Sequence, residues 1–404
     1  MSDRISTPLG SIARVINGRA YKQEELLDRG KYRVLRVGNF FSNGSWYYSD
    51  LELDEDKYCE SGDLLFAWSA SFGPKIWSDE KVIYHYHIWK IVEDANLVDK
   101  QYLYYFLMNS VQGMMASTHG SIMLHLTKEF MERLPVHLPK STIVQQDVAS
   151  VLSTIDAKID CNNRINTELE SLAKLLYDYW FVQFEFLDEN NKPYKSSGGK
   201  MVFNELLKRE IPEDWRVVDL SELVEEIRDG VLPDSIDSNT PYIGLEHISR
   251  KSIVSHIWAT AIDANSTKNS FKRGDILFGK IRPYFHKVWF AITDGIASTD
   301  AIVLRPKSNE LSGLALQVIF SNEFVNMATA SSTGSKMPRA DWKVMKQYKV
   351  ALPPSNSNLL EEYQATFESI CKTLTKNVFE SREILEMRDW LLPLLMNGQV
   401  TTSQ

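Results

Sequence analysis

Two short stretches of this chain gather cations among aromatic and hydroxyl side chains, a combination that suits a polyanion. Over residues 268–287, Lys268, Lys272, Arg273, Lys280, Arg282 and Lys287 are opposed only by Asp275, with Tyr284, Phe285 and His286 interleaved. Over 335–349, Ser335, Lys336, Arg339, Lys343, Lys346 and Lys349 face a single acid, Asp341. Lys and Arg on loops neutralise phosphates, and Arg can also bond a guanine edge through two donors. A solvated charged surface explains any one of these lysines; the two stretches taken together favour DNA.

Signatures of catalysis are missing around them. Phe278-Gly279-Lys280-Ile281 lacks the glycine spacing and the Ser/Thr of a phosphate-binding loop. Leu352-Pro353-Pro354-Ser355 has neither the Asn nor the aromatic of a base-methyltransferase motif, and Pro233-Asp234 with its scattered acids is too weak for a nuclease core. No glycine-rich fingerprint for S-adenosylmethionine or a dinucleotide occurs. Tyr84-His85-Tyr86-His87 would put two imidazoles on one face of a strand, but no third ligand is near, so structural histidines are the better reading and no metal site is expected. The chain is expected to carry no cofactor and no catalytic residue of its own.

The net charge of −8 argues at first against nucleic acid. Its distribution weakens that objection: residues 201–355 hold 19 basic and 19 acidic side chains, and much of the excess acid falls in 141–200 and 356–404. Local potential, not net charge, governs a docking face. The three cysteines, Cys59, Cys161 and Cys371, are widely separated and odd in number, which suits a reduced cytoplasmic protein. Met1–Gly10 lacks a signal-peptide core, and the apolar run Trp390–Met396 is too short to span a bilayer, so no membrane association is expected.

The elements that must position these loops occur twice. Gly62-Asp63-Leu64-Leu65-Phe66 returns as Gly274-Asp275-Ile276-Leu277-Phe278, and at the same offset Lys75-Ile76-Trp77 matches Lys287-Val288-Trp289. Gly120-Ser121 returns as Gly334-Ser335, and Val136-His137-Leu138-Pro139 as Val350-Ala351-Leu352-Pro353. A repeat about half the chain long means two copies of one module, not a solenoid. In the first copy the loops matching the basic ones read Trp68-Ser69-Ala70-Ser71-Phe72-Gly73-Pro74-Lys75 and His119-Gly120-Ser121-Ile122-Met123-Leu124-His125. They offer hydroxyl, amide and imidazole donors in place of cations, so the copies could read different sequences on one scaffold. Strands are expected at Gly62–Phe66, Val82–Ile91, Gly274–Phe278 and Ala301–Leu304, and helices at Gln101–Met115 and Leu314–Ala330.

Each copy is followed by a heptad pattern. Val148, Leu152, Ile155, Ile159, Asn162, Asn166, Leu169, Ala173, Leu176 and Trp180 step by four and three, as the seam of a coiled coil does. Tyr363, Phe367, Ile370, Leu374, Asn377, Ser381, Ile384, Arg388, Leu391 and Leu395 repeat the pattern, each at a constant spacing from its counterpart. Asn162, Asn166, Asn377 and Ser381 would fix register if the helices pair; the alternative is two helices that each pack on their own module. At 1.5 Å per residue, ~38 residues make a rod of about 57 Å. Arg388 stands where the first helix has Ala173, so pairing is expected to loosen there, and the second helix to kink or end near Pro393, with Gly398 beyond. Leu187–Gly199 is polar, with Pro193 and paired glycines, and reads as a tether. The expected divisions are 1–140, a first module; 141–186, a long helix; 187–200, a linker; 201–355, a second module; and 356–404, a second long helix.

Taken together, these residues resemble a known family, the specificity subunits of Type I restriction-modification systems. The likeness is carried by Ile155-Asp156-Ala157-Lys158-Ile159 through Asn166, Tyr179-Trp180-Phe181-Val182-Gln183-Phe184, Lys192–Met201 and Ile211-Pro212-Glu213-Asp214-Trp215. Tyr242–Ile248 and Gly274–Tyr284 add to it. It implies a mixed α/β (α+β) fold with two similar target-recognition domains separated by two long helices in an antiparallel coiled coil, each domain reading half of a bipartite, asymmetric double-stranded DNA site. It also implies two adenine methyltransferase subunits as partners, with restriction/translocase subunits as an optional addition; S-adenosylmethionine, ATP and Mg would belong to those partners. The DNA-facing residues would be Ser69, Ser71, Lys75, His119, Ser121 and His125 in the first module, and Lys280, Arg282, Tyr284, His286, Lys287, Ser335, Lys336 and Arg339 in the second. A protein-binding adaptor and a stand-alone methyltransferase or nuclease are the rival readings; the first predicts no salt-dependent DNA binding, the second activity from the pure chain.

Overall fold

The Gly-Asp pairs that mark the repeat are turn devices, and a computed structural model describing residues 3–41, 45–69, 71–116, 126–263, 265–334 and 336–401 shows how they act. Gly62 and Gly274 have φ of +93° and +92°. A Cβ at either would meet nothing within 4 Å, so glycine is required for its backbone freedom and not for space. The following aspartate accepts from a backbone N–H three residues back, Glu60 to Asp63 at 2.8 Å and Lys272 to Asp275 at 2.7 Å. It then meets a cation from a neighbouring strand: Lys90 lies 2.7 Å from Asp63, and Arg305 gives Asp275 two hydrogen bonds of 2.8 Å.

The chain forms two compact units, residues 1–158 with 384–404, and residues 159–383. In chain order the first holds strands β1 (Arg4–Pro8), β2 (Ala13–Asn17), β3 (Tyr32–Leu35), β4 (Tyr47–Ser49), β5 (Tyr58–Cys59), β6 (Leu64–Ser69), β7 (Ser71–Ile76), β8 (Val82–Tyr84), β9 (Ile88–Glu93) and β10 (Pro135–Pro139). Its short helices are α1 (Val37–Phe41), α2 (Lys100–Ala116) and α3 (Lys128–Arg133). β1 pairs with β10, one antiparallel sheet runs β2-β9-β6-β7, and a second runs β4-β3-β8-β5 with β3 and β8 parallel. β6 separates two apolar clusters: Leu64 and Phe66 pack with Trp89 and Tyr102, while Leu65 and Ala67 pack with Trp77 and Tyr84. Burial on both faces explains its unbroken apolar run.

After α4 (Thr142–Tyr177), the second unit contains β11 (Met201–Asn204), β12 (Arg209–Pro212), β13 (Arg216–Asp219), β14 (Val224–Ile227), β15 (Gly230–Val231), β16 (Pro241–Ile243), β17 (Ala259–Thr260), β18 (Lys268–Phe271), β19 (Ile276–Gly279), β20 (Val288–Phe290), β21 (Gly295–Ala297), β22 (Ala301–Pro306) and β23 (Lys349–Leu352). Its helices are α5 (Ser312–Phe320), α6 (Asn322–Ala330) and α7 (Trp342–Met345), and α8 (Leu359–Met396), like α4, contributes to both units. The topology repeats: β13 pairs with β23, one sheet runs β14-β22-β19-β20, and the other β15-β18-β21-β16-β17 with β16 and β21 parallel. The β11-β12 hairpin and β15 have no counterpart strands among the described residues of the first unit. The Lys-hydrophobic-Trp triplets, however, do not superpose. Ile76 pairs with Leu64 and Phe290 with Ile276, so Ile76 corresponds to Phe290 and the triplets are displaced by two residues. A shift of two preserves the face of a strand, which lets the match survive in sequence.

Other local expectations are modified. The run Val82–Ile91 is two strands, broken at His85-Tyr86-His87 by a turn in which Ile88 N–H bonds the His85 carbonyl at 2.9 Å. The helix expected over Leu314–Ala330 is broken at Ser321, whose hydroxyl caps the next helix at Phe324 N–H, 3.2 Å away. Residues 187–200 are not an open tether. Asp188 accepts from the Asn190 and Lys192 N–H groups, and the Tyr194 ring stacks on Phe186 at 4.8 Å.

Both long helices turn their seam inward. In the first unit Val148 and Leu152 of α4 share a core with Leu392, Leu395 and Met396 of α8. In the second, Ala173 shares a core with Tyr363, Phe367, Ile370 and Leu374. Register polar groups meet there too. Asn162 donates to Ser381 Oγ at 3.2 Å and to Glu380 at 3.0 Å, and Asn377 donates to Asn166 Oδ1 at 3.0 Å. One partner number falls as the other rises, the mark of an antiparallel pair. Pairing does not loosen at Arg388: in the first unit its guanidinium meets Asp156 at 2.9 Å, and Asp156 also accepts from the Tyr105 hydroxyl at 2.7 Å. α8 continues past Pro393 and ends at Met396, with Gly398 beyond it at φ +72°.

Asn377→Leu alone leaves the buried Asn166 amide without its donor and is expected to destabilise the protein by about 1–3 kcal/mol. Asn166→Leu added to it should restore most of that stability, because both polar partners are then gone. Denaturant midpoints for the two variants check this, and equal destabilisation would contradict it.

Candidate nucleic-acid interface

The two basic stretches of the second unit fold against each other. After β19, the chain from Lys280 to His286 makes a tight excursion with Arg282 and His286 both at φ +51°, on either side of the turn Pro283–Phe285. Left-handed backbone at two non-glycine residues costs energy, and the surrounding hydrogen bonds hold it. Arg282 N–H bonds the Pro338 carbonyl at 2.8 Å, Ala340 N–H bonds the Lys280 carbonyl at 2.9 Å, and Lys280 N–H bonds the Asp300 carbonyl at 2.9 Å. The second stretch closes on itself, Thr333 and Arg339 exchanging both backbone bonds at 3.1 and 2.9 Å. Gly334 supplies the turn with φ of +101°.

The result is one surface bearing Arg282, Tyr284, Lys336 and Arg339. Tyr284 is 52% exposed, with its ring edge-on to Phe285 at 4.8 Å. Lys336 and Arg339 are exposed, and Arg339 has one acid near it, Asp300 at 4.0 Å. Arg282 is half-buried, its Nε without a hydrogen-bond partner among the described residues. Lys280 is half-buried and spends its ammonium on the Thr299 carbonyl.

Two residues read as DNA-facing are turned inward. His286 is 6% exposed, and its Nε2 lies 2.8 Å from the Phe320 carbonyl. Burial lowers its pKa, so it stays neutral near pH 7. Lys287 bonds the Leu245 carbonyl, and its pKa is lowered by burial and then by Arg250. Their place is set by strand pairing, since Gly279 N–H bonds the Lys287 carbonyl at 2.9 Å. Ser335 lies outside the described residues.

Sequence reading missed Arg250 and Lys251. Both are exposed, and the Arg250 guanidinium lies 3.9 Å from the centre of the Phe285 ring. Lys251 N–H bonds the His286 carbonyl at 3.0 Å. The signal was present as adjacent cations directly after Tyr242–Ile248, but nothing in the sequence brings 250 to 285.

In the first unit the corresponding hairpin is longer, with Ser69 opposite Ser71 at its tip and Trp68 opposite Phe72. Ser71 is exposed and Ser69 buried. Lys75 is turned inward, donating to the Phe40 carbonyl at 3.0 Å, and burial lowers its pKa. His119, Ser121 and His125 lie outside the described residues. Beside the hairpin is an aromatic group where the second unit has cations: Trp68 stacks on Trp89 at 5.4 Å, and His87 meets Trp68 edge-on at 5.2 Å. His85 is pushed down to about 4 by burial, then by His87 and Arg36. Among the described residues no cluster of His, Cys, Asp or Glu is arranged to hold a metal, and no helix is long and apolar enough to cross a membrane.

Comparison with known proteins agrees with this repeated architecture. A family model described as the Type I restriction modification DNA specificity domain matches twice, over residues 4–171 and 212–380. The Type I restriction enzyme EcoDI specificity subunit of Escherichia coli is 22% identical over 311 residues, covering 73% of this chain and 68% of that one. The MjaIX specificity subunit of Methanocaldococcus jannaschii is 21% identical over 326 residues, covering 76% and 70%. The crystal structure of the Type I restriction-modification S subunit from M. genitalium shares the fold, with a TM-score of 0.56 at 15% identity over 100% of this chain and 97% of that one. The two family matches span most of the chain, one in each copy of the repeat, and the chain belongs to the Type I restriction-modification DNA specificity family, whose members are recognition subunits and not catalytic ones.

Proposed function

We propose that this chain reads a bipartite, asymmetric site in double-stranded DNA and directs adenine methyltransferase subunits to it. The observation that carries the reading is the joining of two sequence-distant basic stretches into one surface around Arg282, Tyr284 and Arg339. The same scaffold in the other unit bears serines and stacked aromatics instead. Two copies with different loop chemistry fit two different half-sites, and the long helices fit a spacer between them. S-adenosylmethionine, and ATP and Mg where cleavage is coupled, would be held by partner subunits, and the complex would work in the cytoplasm.

A second repeated feature supports two equivalent docking positions for the methyltransferase. Leu172 and Leu175 of α4 are 43% and 60% exposed; Met387 and Trp390, their counterparts in α8, are 44% and 65% exposed. None is a seam position, and each pair follows an exposed acid, Glu168 or Glu383. An apolar pad with an acidic rim suits a partner presenting an apolar ridge beside a basic side chain. Leu172→Glu with Leu175→Glu is expected to lower the ratio of methyltransferase to this chain from two to one, and the same change at Met387 and Trp390 to do so independently. Native mass spectrometry of co-purified complexes reads the ratio; two methyltransferases retained on either variant would remove the pads from the interface.

The function is tested by co-expression with the neighbouring methyltransferase gene and single-molecule mapping of modified adenines. A split motif with a fixed spacer, absent when this chain is deleted, is the expected result. A stable complex with no motif would favour a protein-binding adaptor.

A further inference from the structure

The loop that carries Arg250 and Lys251 is held at both ends. On one side Lys251 N–H bonds the His286 carbonyl and Arg250 stacks on Phe285, joining the loop to the basic turn. On the other, the Ser252 hydroxyl oxygen lies 2.7 Å from Glu170 Oε1 of α4 and 2.9 Å from the Val254 carbonyl. The backbone N–H groups of Ile253 and Val254 also face the Glu170 carboxyl. Ile253 and Val254 are buried, and the Ile253 carbonyl accepts from Phe290 N–H at 2.8 Å, so the segment between the cations and the helix is fixed to β20.

We infer that Arg250 and Lys251 contact DNA backbone phosphates and that Glu170 is the positioning residue that holds their loop against the long helix. The inference rests on the DNA-binding reading above. Among the described residues Arg250, Lys251, Arg282 and Lys336 have no acidic partner within salt-bridge distance, and Arg339 has only Asp300. Cations gathered without counter-charge repel one another, and a polyanion relieves that repulsion. Stacking on Phe285 fixes the Arg250 plane and leaves its N–H edges to meet an anion.

Protonation strengthens the anchor. One hydroxyl proton cannot serve both neighbours of Ser252. A protonated Glu170 donates to Ser252 Oγ, which in turn donates to the Val254 carbonyl, and every group is satisfied. Burial agrees, raising the Glu170 carboxyl to about 7. A carboxyl whose pKa is raised in the folded state stabilises that state fully below its unfolded value, and the contribution fades as pH rises through 7. The other titratable group lining the cavity beside Glu170 is His256, lowered by burial and by Arg382; His247 and His286 are lowered as well, so all three are neutral above pH 6.5. The anchor therefore weakens through Glu170 as pH rises from the ordinary glutamate range to about 7, and levels off above it.

The test uses the full-length chain and a random-sequence duplex, with affinity measured by fluorescence anisotropy across salt concentrations at pH 5 to 8.5. Removing one neutralised phosphate lowers the slope of log affinity against log salt by about 0.9. Arg250→Gln and Lys251→Gln are each expected to lower it by about that amount. Glu170→Ala should lower affinity and slope, but add nothing to the Arg250→Gln/Lys251→Gln double variant. Glu170→Gln, which keeps an acceptor and a donor, should bind as wild type does near pH 5 and should not show the decline that wild type shows on the way to pH 7. Ser252→Ala, a small change at the surface of the cavity, should mimic Glu170→Ala if the latter folds poorly. Wild-type slopes for Arg250→Gln and Lys251→Gln, with Arg282→Gln still weakened, would overturn the phosphate assignment. Additivity of Glu170→Ala with the double variant would overturn the positioning role. If Arg282→Gln and Arg339→Gln also bind as wild type, the DNA-binding surface itself is misplaced.

Discussion

Arg282→Gln combined with Arg339→Gln is expected to weaken duplex binding by the full-length chain ~30-fold near 0.15 M salt and to lower the salt slope by about two, as the release of two counterions requires. These two side chains lie where the two basic stretches join, the Arg282 N–H bonding the Pro338 carbonyl beside Arg339. The Lys280 ammonium is taken by the Thr299 carbonyl and that of Lys287 by Leu245. Gln at 280 or 287 should accordingly change affinity much less. In cells, the double arginine variant should abolish adenine methylation at the mapped motif while leaving the complex with its methyltransferase intact. Unchanged methylation together with an unchanged salt slope would exclude this surface from DNA binding.

Asp275→Ala is expected to destabilise the second unit by about 3 kcal/mol. It removes the carboxylate that holds Arg305 through two hydrogen bonds and that accepts from Lys272 N–H. Asp275 is 1% exposed. Breaking a buried pair from one side costs roughly 3–5 kcal/mol, and the lower end applies because Arg305 is partly open to water. Arg305→Met added to Asp275→Ala should recover part of that stability, since no unpaired charge then remains. Asp63→Ala in the first unit should cost less, because the Asp63 carboxylate is more exposed and Lys90 meets it through one ammonium. Denaturant midpoints followed by tryptophan fluorescence measure all three; a neutral Asp275→Ala would show that the repeat keeps its aspartate for another reason.

How far the molecule was legible in sequence follows from the range of the forces involved. The repeat could be read because Gly62-Asp63 and Gly274-Asp275 answer a local need, a positive φ followed by a side-chain acceptor three residues from its donor. The long helices could be read because a seam repeats every few residues whatever lies against it, and Asn162, Asn166, Asn377 and Ser381 are buried. Period and turn chemistry are properties of neighbouring residues, so one sequence suffices for them.

What lay beyond the sequence was every choice made by a distant partner. Asn162 and Asn377 are counterparts in the repeat, yet antiparallel pairing gives Asn162 to Ser381 and Asn377 to Asn166. Arg388 reads as a flaw in an apolar seam until Asp156, itself bonded by the Tyr105 hydroxyl, meets it. His286 and Lys287 read as members of a basic loop, but the bond from Gly279 N–H to the Lys287 carbonyl settles where their side chains go. Arg250 joins the surface only because Lys251 bonds His286 and Ser252 meets Glu170. The sequence by itself determined the two copies, their turns, their helices and the kind of charge on the loops. The tertiary structure decided which of those charges reach the surface, because a side chain's direction is set by the hydrogen bonds its backbone makes with residues far away in the chain.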